Sequence, residues 1–218
     1  MFVDGWILLA PDAGQLERAR KEGNPVVVVN GSGEGFLSID LDNRGAARAV
    51  TEHLAEQGHR RIGFIAGKSE TSNARDRQEG YRLALEQHGT PWDSTLVMEG
   101  RFEREGGRNA MTHFLCLPIP PTAVFAANDH MALGAWDVLK EKNISGPHSM
   151  ALAGFDDIPG ATTAGLTSVR QPLAEISRQA GVWLVDWLRS GRPPDLGHRE
   201  VPGKVIIRSS STCIRSRE

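Results

Sequence analysis

The chain has 218 residues, of which 39% are hydrophobic and 24% charged, with a formal net charge of −2 and a pI of about 6.4. This is an ordinary soluble, globular make-up, long enough for one large domain or two small ones. It leaves no basic footprint for nucleic acid over the whole surface, and no apolar run nears the ~20 residues needed to span a bilayer.

The start, "MFVDGWILLAPDAG", has an early Asp4 and no basic leader, so it does not read as a signal peptide. It begins almost inside a strand, "VDGWILL", and upstream material is expected to be missing. The two cysteines, Cys116 and Cys213, belong to no CxxC or Cys/His cluster, which fits a reducing, cytoplasmic setting.

"PVVVVN" (25–30) is a β-branched run typical of a strand buried on both faces. Residues 43–57 place Ala46, Ala47, Val50 and Leu54 on one helical face, with Asn43 as a candidate cap and Gly58 as a stop. "RRIGFIAG" (60–67) reads as a strand. Residues 77–88 predict a helix with Tyr81, Ala84, Leu85 and His88 on one side, and "TLVMEG" (95–100) a strand and turn. A helix over 104–115 is followed by the strand "TAVFAAN". Residues 129–142 then repeat Ala132, Ala135, Trp136 and Leu139 with a helical period. "SMALAGFDD" (149–157) is a strand. Residues 173–189 carry the broadest stripe: Ile176, Ala180, Trp183, Leu184, Trp187 and Leu188. "KVIIRSSST" (204–212) predicts a closing strand and tail.

Strands alternating with helices imply an α/β fold whose mostly parallel sheets are covered on both faces. Ligands of such sheets bind beyond the carboxyl ends of the strands. Four of those ends are polar in a suggestive way: Arg75 and Arg77 after "IAG", Arg101-Phe102 after "LVMEG", Asn128-Asp129 after "VFAA", and Asp156-Asp157 after "LAGF". A guanidinium, a carboxylate, an amide and an aromatic ring suit a sugar or a purine. Each also has a plainer reading. Arg77 alone reads as a solvated first-turn arginine, Asn128 and Asp129 as helix caps, Asp156-Asp157 as turn chemistry, and Phe102 as core. Their common origin at one sheet edge favours a site. Within it Asn128 and Asp129 each fit either a ligand-gripping group or the helix-start cap. The histidines lack metal spacing, and no nucleophile–base set or glycine-rich phosphate loop is present, so neither catalysis nor a cofactor is expected.

Read as a set, "DLDNRGAARAVTEHLAEQGHRRIGFIAG" (40–67), "RQEGYRLALEQHG" (77–89), "PTAVFAANDHMALGAW" (121–136), "ALAGFDDIPGA" (151–161), "LTSVRQPLAEISRQA" (166–180) and "VIIRSSST" resemble the lactose/galactose-repressor (LacI/GalR) family of transcription regulators. The resemblance implies a two-lobed, periplasmic-binding-protein-like fold with a small molecule in the cleft between lobes. Three crossovers would divide the chain into an N-terminal lobe of 1–68 plus 172–201 and a C-terminal lobe of 69–171 plus 202–218. The first lobe would be incomplete. The helix-turn-helix headpiece, the hinge helix and the first two strand–helix units have no counterpart, which would leave a bare sheet edge and apolar helix faces.

Position by position, the family's effector arginine falls on Arg77, its stacking aromatic on Phe102, its amide on Asn128 and its aspartate on Asp156. Asp42 and Gln171 match weaker ligand or cleft positions. With this resemblance Asn128 is read as the ligand-gripping amide, Asp129 as the helix-start cap and His130 as incidental. The function implied is the effector-sensing core of a repressor, binding a sugar or purine-like molecule, dimeric, and touching operator DNA only through the missing headpiece. The alternatives are a solute-binding protein of a sugar transporter and an enzyme on an α/β scaffold.

Overall fold

The computed structural model describes residues 3–31, 35–144, 146–147, 149–195 and 197–212; Cys213 lies outside them. In chain order the elements are β1 (Trp6–Leu9), α1 (Ala13–Glu22), β2 (Val26–Val29), β3 (Leu37–Leu41), α2 (Asn43–Glu56), β4 (Ile62–Ala66) and α3 (Ser72–Gln87). A short 3-10 turn (Ser94–Leu96) leads into β5 (Val97–Glu99), α4 (Arg104–Leu115), β6 (Ala123–Ala126), α5 (Asp129–Glu141), β7 (Ala151–Asp156), α6 (Pro159–Thr163) and β8 (Thr167–Arg170). The last are α7 (Leu173–Ser190), β9 (His198–Val201) and β10 (Lys204–Ile206).

Two compact units result, 1–42 with 172–202 and 43–171 with 203–218. The first holds a parallel sheet in the order β1-β2-β3-β9. All four valines of β2 are buried, as a strand covered on both faces requires. Trp6, Leu8, Leu16 and Phe36 pack on Ala19, Val26 and Val28, while α7 lays Ile176, Ala180 and Trp183 inward. β1 is an edge strand with Ile7 46% and Leu9 68% exposed, and Val182, Val185 and Leu188 of α7 are also exposed.

The second unit has six strands in the order β10-β8-β7-β6-β4-β5, parallel except for β10. Phe64 of β4 stacks on Tyr81 of α3 with ring centroids 4.9 Å apart. Its neighbour Gly63 lies against the ring of Phe114 from α4. Adjacent strand residues point to opposite faces, so α3 and α4 cover opposite sides of the sheet. The Tyr81 hydroxyl, buried in that stack, donates to the Ile62 carbonyl at 2.8 Å.

The expected boundary near residue 68 is corrected. β4 pairs with β5 on one side and β6 on the other, so α2 and β4 belong to the second unit and the first crossing falls at Asp42–Asn43. The chain crosses again after Gln171 and after Pro202.

Several elements went unread. α1 buries only Ala19, so its apolar period is faint. Its signals are the reciprocal Asp12–Gln15 capping box and the left-handed Gly23 that ends it. β9, "HREV", exposes its first three residues and has no apolar alternation. The expected closing strand and tail over 204–212 divides at Ile206, where β10 ends.

Candidate ligand-binding site

β4 to β8 run parallel, so their carboxyl ends share one edge of the second unit's sheet. Arg77 follows β4, Phe102 follows β5, Asn128 follows β6, Asp156 ends β7 and Gln171 follows β8.

Arg77 is not a solvated first-turn residue. α3 begins at Ser72, ahead of the expected start, which puts Arg77 in its second turn, only 5% exposed. Nε donates to Asn43 Oδ1 at 2.9 Å and Nη1 to the Ala127 carbonyl at 2.6 Å. The guanidinium carbon sits 3.7 Å from the Phe155 ring centroid and 6.0 Å from that of Phe102. Its planar fork serves all of these at once, which an ammonium could not.

Asp156 lies 3.6 Å from Arg77 Nη1, and its Oδ1 accepts from Gln171 Nε2 at 2.6 Å. Its side chain is a quarter exposed (25%). Burial raises the Asp156 carboxyl above its ordinary range, with Arg77, Gln171 and His130 pulling it back down.

Two turns hold unusual backbone. Arg101 and Phe102 have φ of 56° and 65°, and Asp156 and Asp157 have φ of 108° and 56°. Each such residue costs about 1–3 kcal/mol, and strain of this kind concentrates at ligand sites. The Phe102 ring lies against Gly67, where a Cβ would come 2.0 Å from its Cζ. The glycine that ends the β4 segment therefore makes room for the half-buried aromatic ring.

The cap read for Asp129 belongs to Asn128. Asn128, with extended backbone, is the α5 cap: its Oδ1 accepts from Met131 N at 2.9 Å. Its Nδ2 donates to the Phe102 carbonyl at 3.1 Å, tying two strand ends together. Asp129 is not the cap; it is fully buried and faces the turn after β7.

The second unit thus brings Arg77, Phe102, Asn128, Asp156 and Gln171 to one sheet edge. Asp42 belongs to the first unit, where its N–H donates to the Val201 carbonyl at 2.9 Å. Sequence reasoning missed Asn43 and Phe155, the groups that seat Arg77. Asn43 carried only a cap signature, and Phe155 is indistinguishable from core within an apolar run. A carboxylate, a guanidinium, amides and a ring face can grip a polyhydroxylated ring by hydroxyl hydrogen bonds and stacking. Among the described residues no group of three or more His, Cys, Asp or Glu could hold a metal ion.

Residues 51–211 match the periplasmic binding protein-like domain family. The chain is 35% identical over 219 residues to the HTH-type transcriptional repressor CytR of Escherichia coli strain K12, covering 97% of this chain and 64% of that protein. The chain thus spans 64% of that relative's length. A transcriptional regulator CelR–cellobiose complex superposes with a TM-score of 0.87 at 33% identity, over 95% of this chain and 66% of that one. A regulatory protein of the LacI family from Chloroflexus aggregans superposes with a TM-score of 0.89 at 31% identity, over 96% of this chain and 77% of that one. With its parallel sheets flanked by helices and these relatives spanning nearly all of it, the chain belongs to the LacI family of transcriptional regulators, within their periplasmic-binding-protein-like region.

Proposed function

We propose that this chain is the effector-sensing part of a transcriptional repressor and that its effector is a sugar, held at the strand ends of the second unit. The observation that carries the reading is the Arg77–Asp156–Gln171 cluster beside Phe102, set on strained turns at one sheet edge. In this reading Asp156 accepts from sugar hydroxyls, Arg77 and Gln171 donate, Phe102 covers the ring face, and Asn128 holds the Phe102 turn. The sugar class is supported by a structural relative whose bound molecule is cellobiose. Effector binding then biases the regulator between operator-bound and released states through differential affinity.

Operator DNA is a partner of the whole regulator, since the matched repressor is of HTH type. A cytoplasmic homodimer without enzymatic turnover completes the proposal. Relatives named as regulators favour it over a transporter's solute-binding protein.

Thermal unfolding with mono- and disaccharides, cellobiose included, and with nucleosides tests the ligand class. A bound sugar at 100 times its Kd adds about 2.7 kcal/mol and raises Tm. A shift with nucleosides alone would reassign the class, and no shift with any of them would overturn the site.

A further inference from the structure

Behind Asp156 lies a carboxylate that the cluster above does not use. Asp129 opens α5 and is fully buried. Its Oδ2 accepts from Ile158 N at 2.9 Å, and its Oδ1 accepts from the Ser168 hydroxyl at 2.7 Å. That hydroxyl in turn accepts from Asp157 N at 3.0 Å. One side chain therefore holds two successive amides, one directly and one through Ser168. These amides belong to the turn with positive φ at Asp156 and Asp157. The same turn is clamped from the side, where Asp157 accepts from Arg170 Nε at 2.7 Å and Arg208 Nη2 at 2.6 Å. β7 also gives way to the carboxylate: a Cβ at Gly154 would lie 2.2 Å from Asp129 Oδ1.

We propose that Asp129 is the positioning residue of this site, fixing through Ile158 and Ser168 the strained turn that presents Asp156. The proposal rests on Asp156 being a ligand group. Asp129 does not reach the ligand; it sets where the ligand's carboxylate partner stands. The charged groups around it are Asp156 and Asp157 of the turn, which face Arg77, Arg170 and Arg208. His130, beside it in sequence, acts on Asp156. Burial pushes the Asp129 carboxyl up to about 7, against its hydrogen bonds from Ser168 and Ile158, and the two aspartates push it further. The protonated acid keeps the pin with the Ser168 bond reversed: one oxygen still accepts from Ile158 N, while the acid's own hydroxyl donates to Ser168 Oγ. Asparagine reproduces that pattern, and alanine removes it.

Hydrogen exchange on the ligand-free chain tests the pin. Asp129→Ala is expected to speed exchange at the amides of Asp157 and Ile158 by at least about tenfold, with β4 and β6 amides unchanged. Asp129→Asn should stay within about twofold of wild type at those amides. Should Asp129→Ala fail to fold, Ser168→Ala is expected to free the Asp157 amide alone. A carboxyl carbon NMR titration of Asp156 adds a readout that simple packing would not move. Its signal should carry an inflection near neutral pH that Asp129→Asn abolishes. Unchanged amide protection in both the alanine and serine variants, or identical titrations with and without Asp129, would overturn the proposal. No ligand enters these measurements, so their failure is separate from a failure of Asp156 to bind one.

Discussion

Arg77 Nη1 stands 3.6 Å from Asp156 Oδ1, within ion-pair range but beyond a good hydrogen bond, because the same nitrogen donates to the Ala127 carbonyl at 2.6 Å. The guanidinium is thus anchored from behind by Ala127, Asn43 and the Phe155 ring, and only its attraction reaches forward to the carboxylate. Arg77 both shapes the site and supports the fold, and its variants report on both.

Arg77→Ala removes one hydrogen bond each from the Asn43 amide oxygen and the Ala127 carbonyl, and takes the cation from beside Asp156. The expected cost is about 3 kcal/mol in urea unfolding, as for a broken buried pair. Arg77→Lys keeps the charge but not the fork, and should lose roughly half as much. A loss below about 0.5 kcal/mol for the alanine variant would show that these contacts carry little.

Two sets of buried groups bend stability with pH in opposite senses. The folded chain holds Asp129 neutral up to about pH 7, above its ordinary 3.8. Its contribution is complete at low pH and is lost as pH rises through that window. His53 and His59 are lowered below 6.5, chiefly by burial, so theirs is present above that value and lost as pH falls. Unfolding free energies from about pH 5 to 8 should show Asp129→Asn removing a decline of at most about 1.4 kcal/mol per pH unit. Parallel curves for wild type and variant would rule out a titrating Asp129.

The end of the described chain is pinned by a buried relay. His53 Nε2 lies 2.8 Å from Ser211 Oγ, which lies 2.6 Å from Thr167 Oγ1. Ser211→Ala should cost about 1–2 kcal/mol in denaturant unfolding, since it leaves His53 and Thr167 short of a buried partner. A neutral effect would mean that the relay contributes nothing net.

Asn128 separates capping from tethering. Asn128→Ala loses both and should cost about 1–2 kcal/mol, while Asn128→Asp still accepts from Met131 N and should lose less than about half of that. Equal losses in thermal unfolding would place the whole contribution in the Phe102 tether.

What could be read from sequence followed from burial on two faces. β2, β4, β6 and β7 are short apolar runs because both their faces are covered. α5 shows its period because it packs tightly on the sheet. Parallel strands then bring Arg77, Phe102, Asn128 and Asp156 to one edge, which alternation of strand and helix already implied; Gln171, after β8, came only from the family resemblance. What stayed illegible was set by tertiary contact. Asn128 and Asp129 are equally good capping residues, and only the extended backbone at Asn128 decides between them. Arg77 reads as a surface residue until Asn43, Ala127 and Phe155 close around it. The first crossing was misplaced because it was carried over from the family resemblance, and Asp42–Asn43 reads equally well as an ordinary helix start.

Isothermal titration of wild type and Asp156→Asn with cellobiose and a panel of mono- and disaccharides decides whether Asp156 is the carboxylate that grips a sugar effector. At least one sugar should bind the wild type, and the variant, with its fold intact, should bind that sugar at least about 30-fold more weakly. Equal affinity in both proteins, or no binding by any sugar of the panel, would show that Asp156 does not grip a sugar.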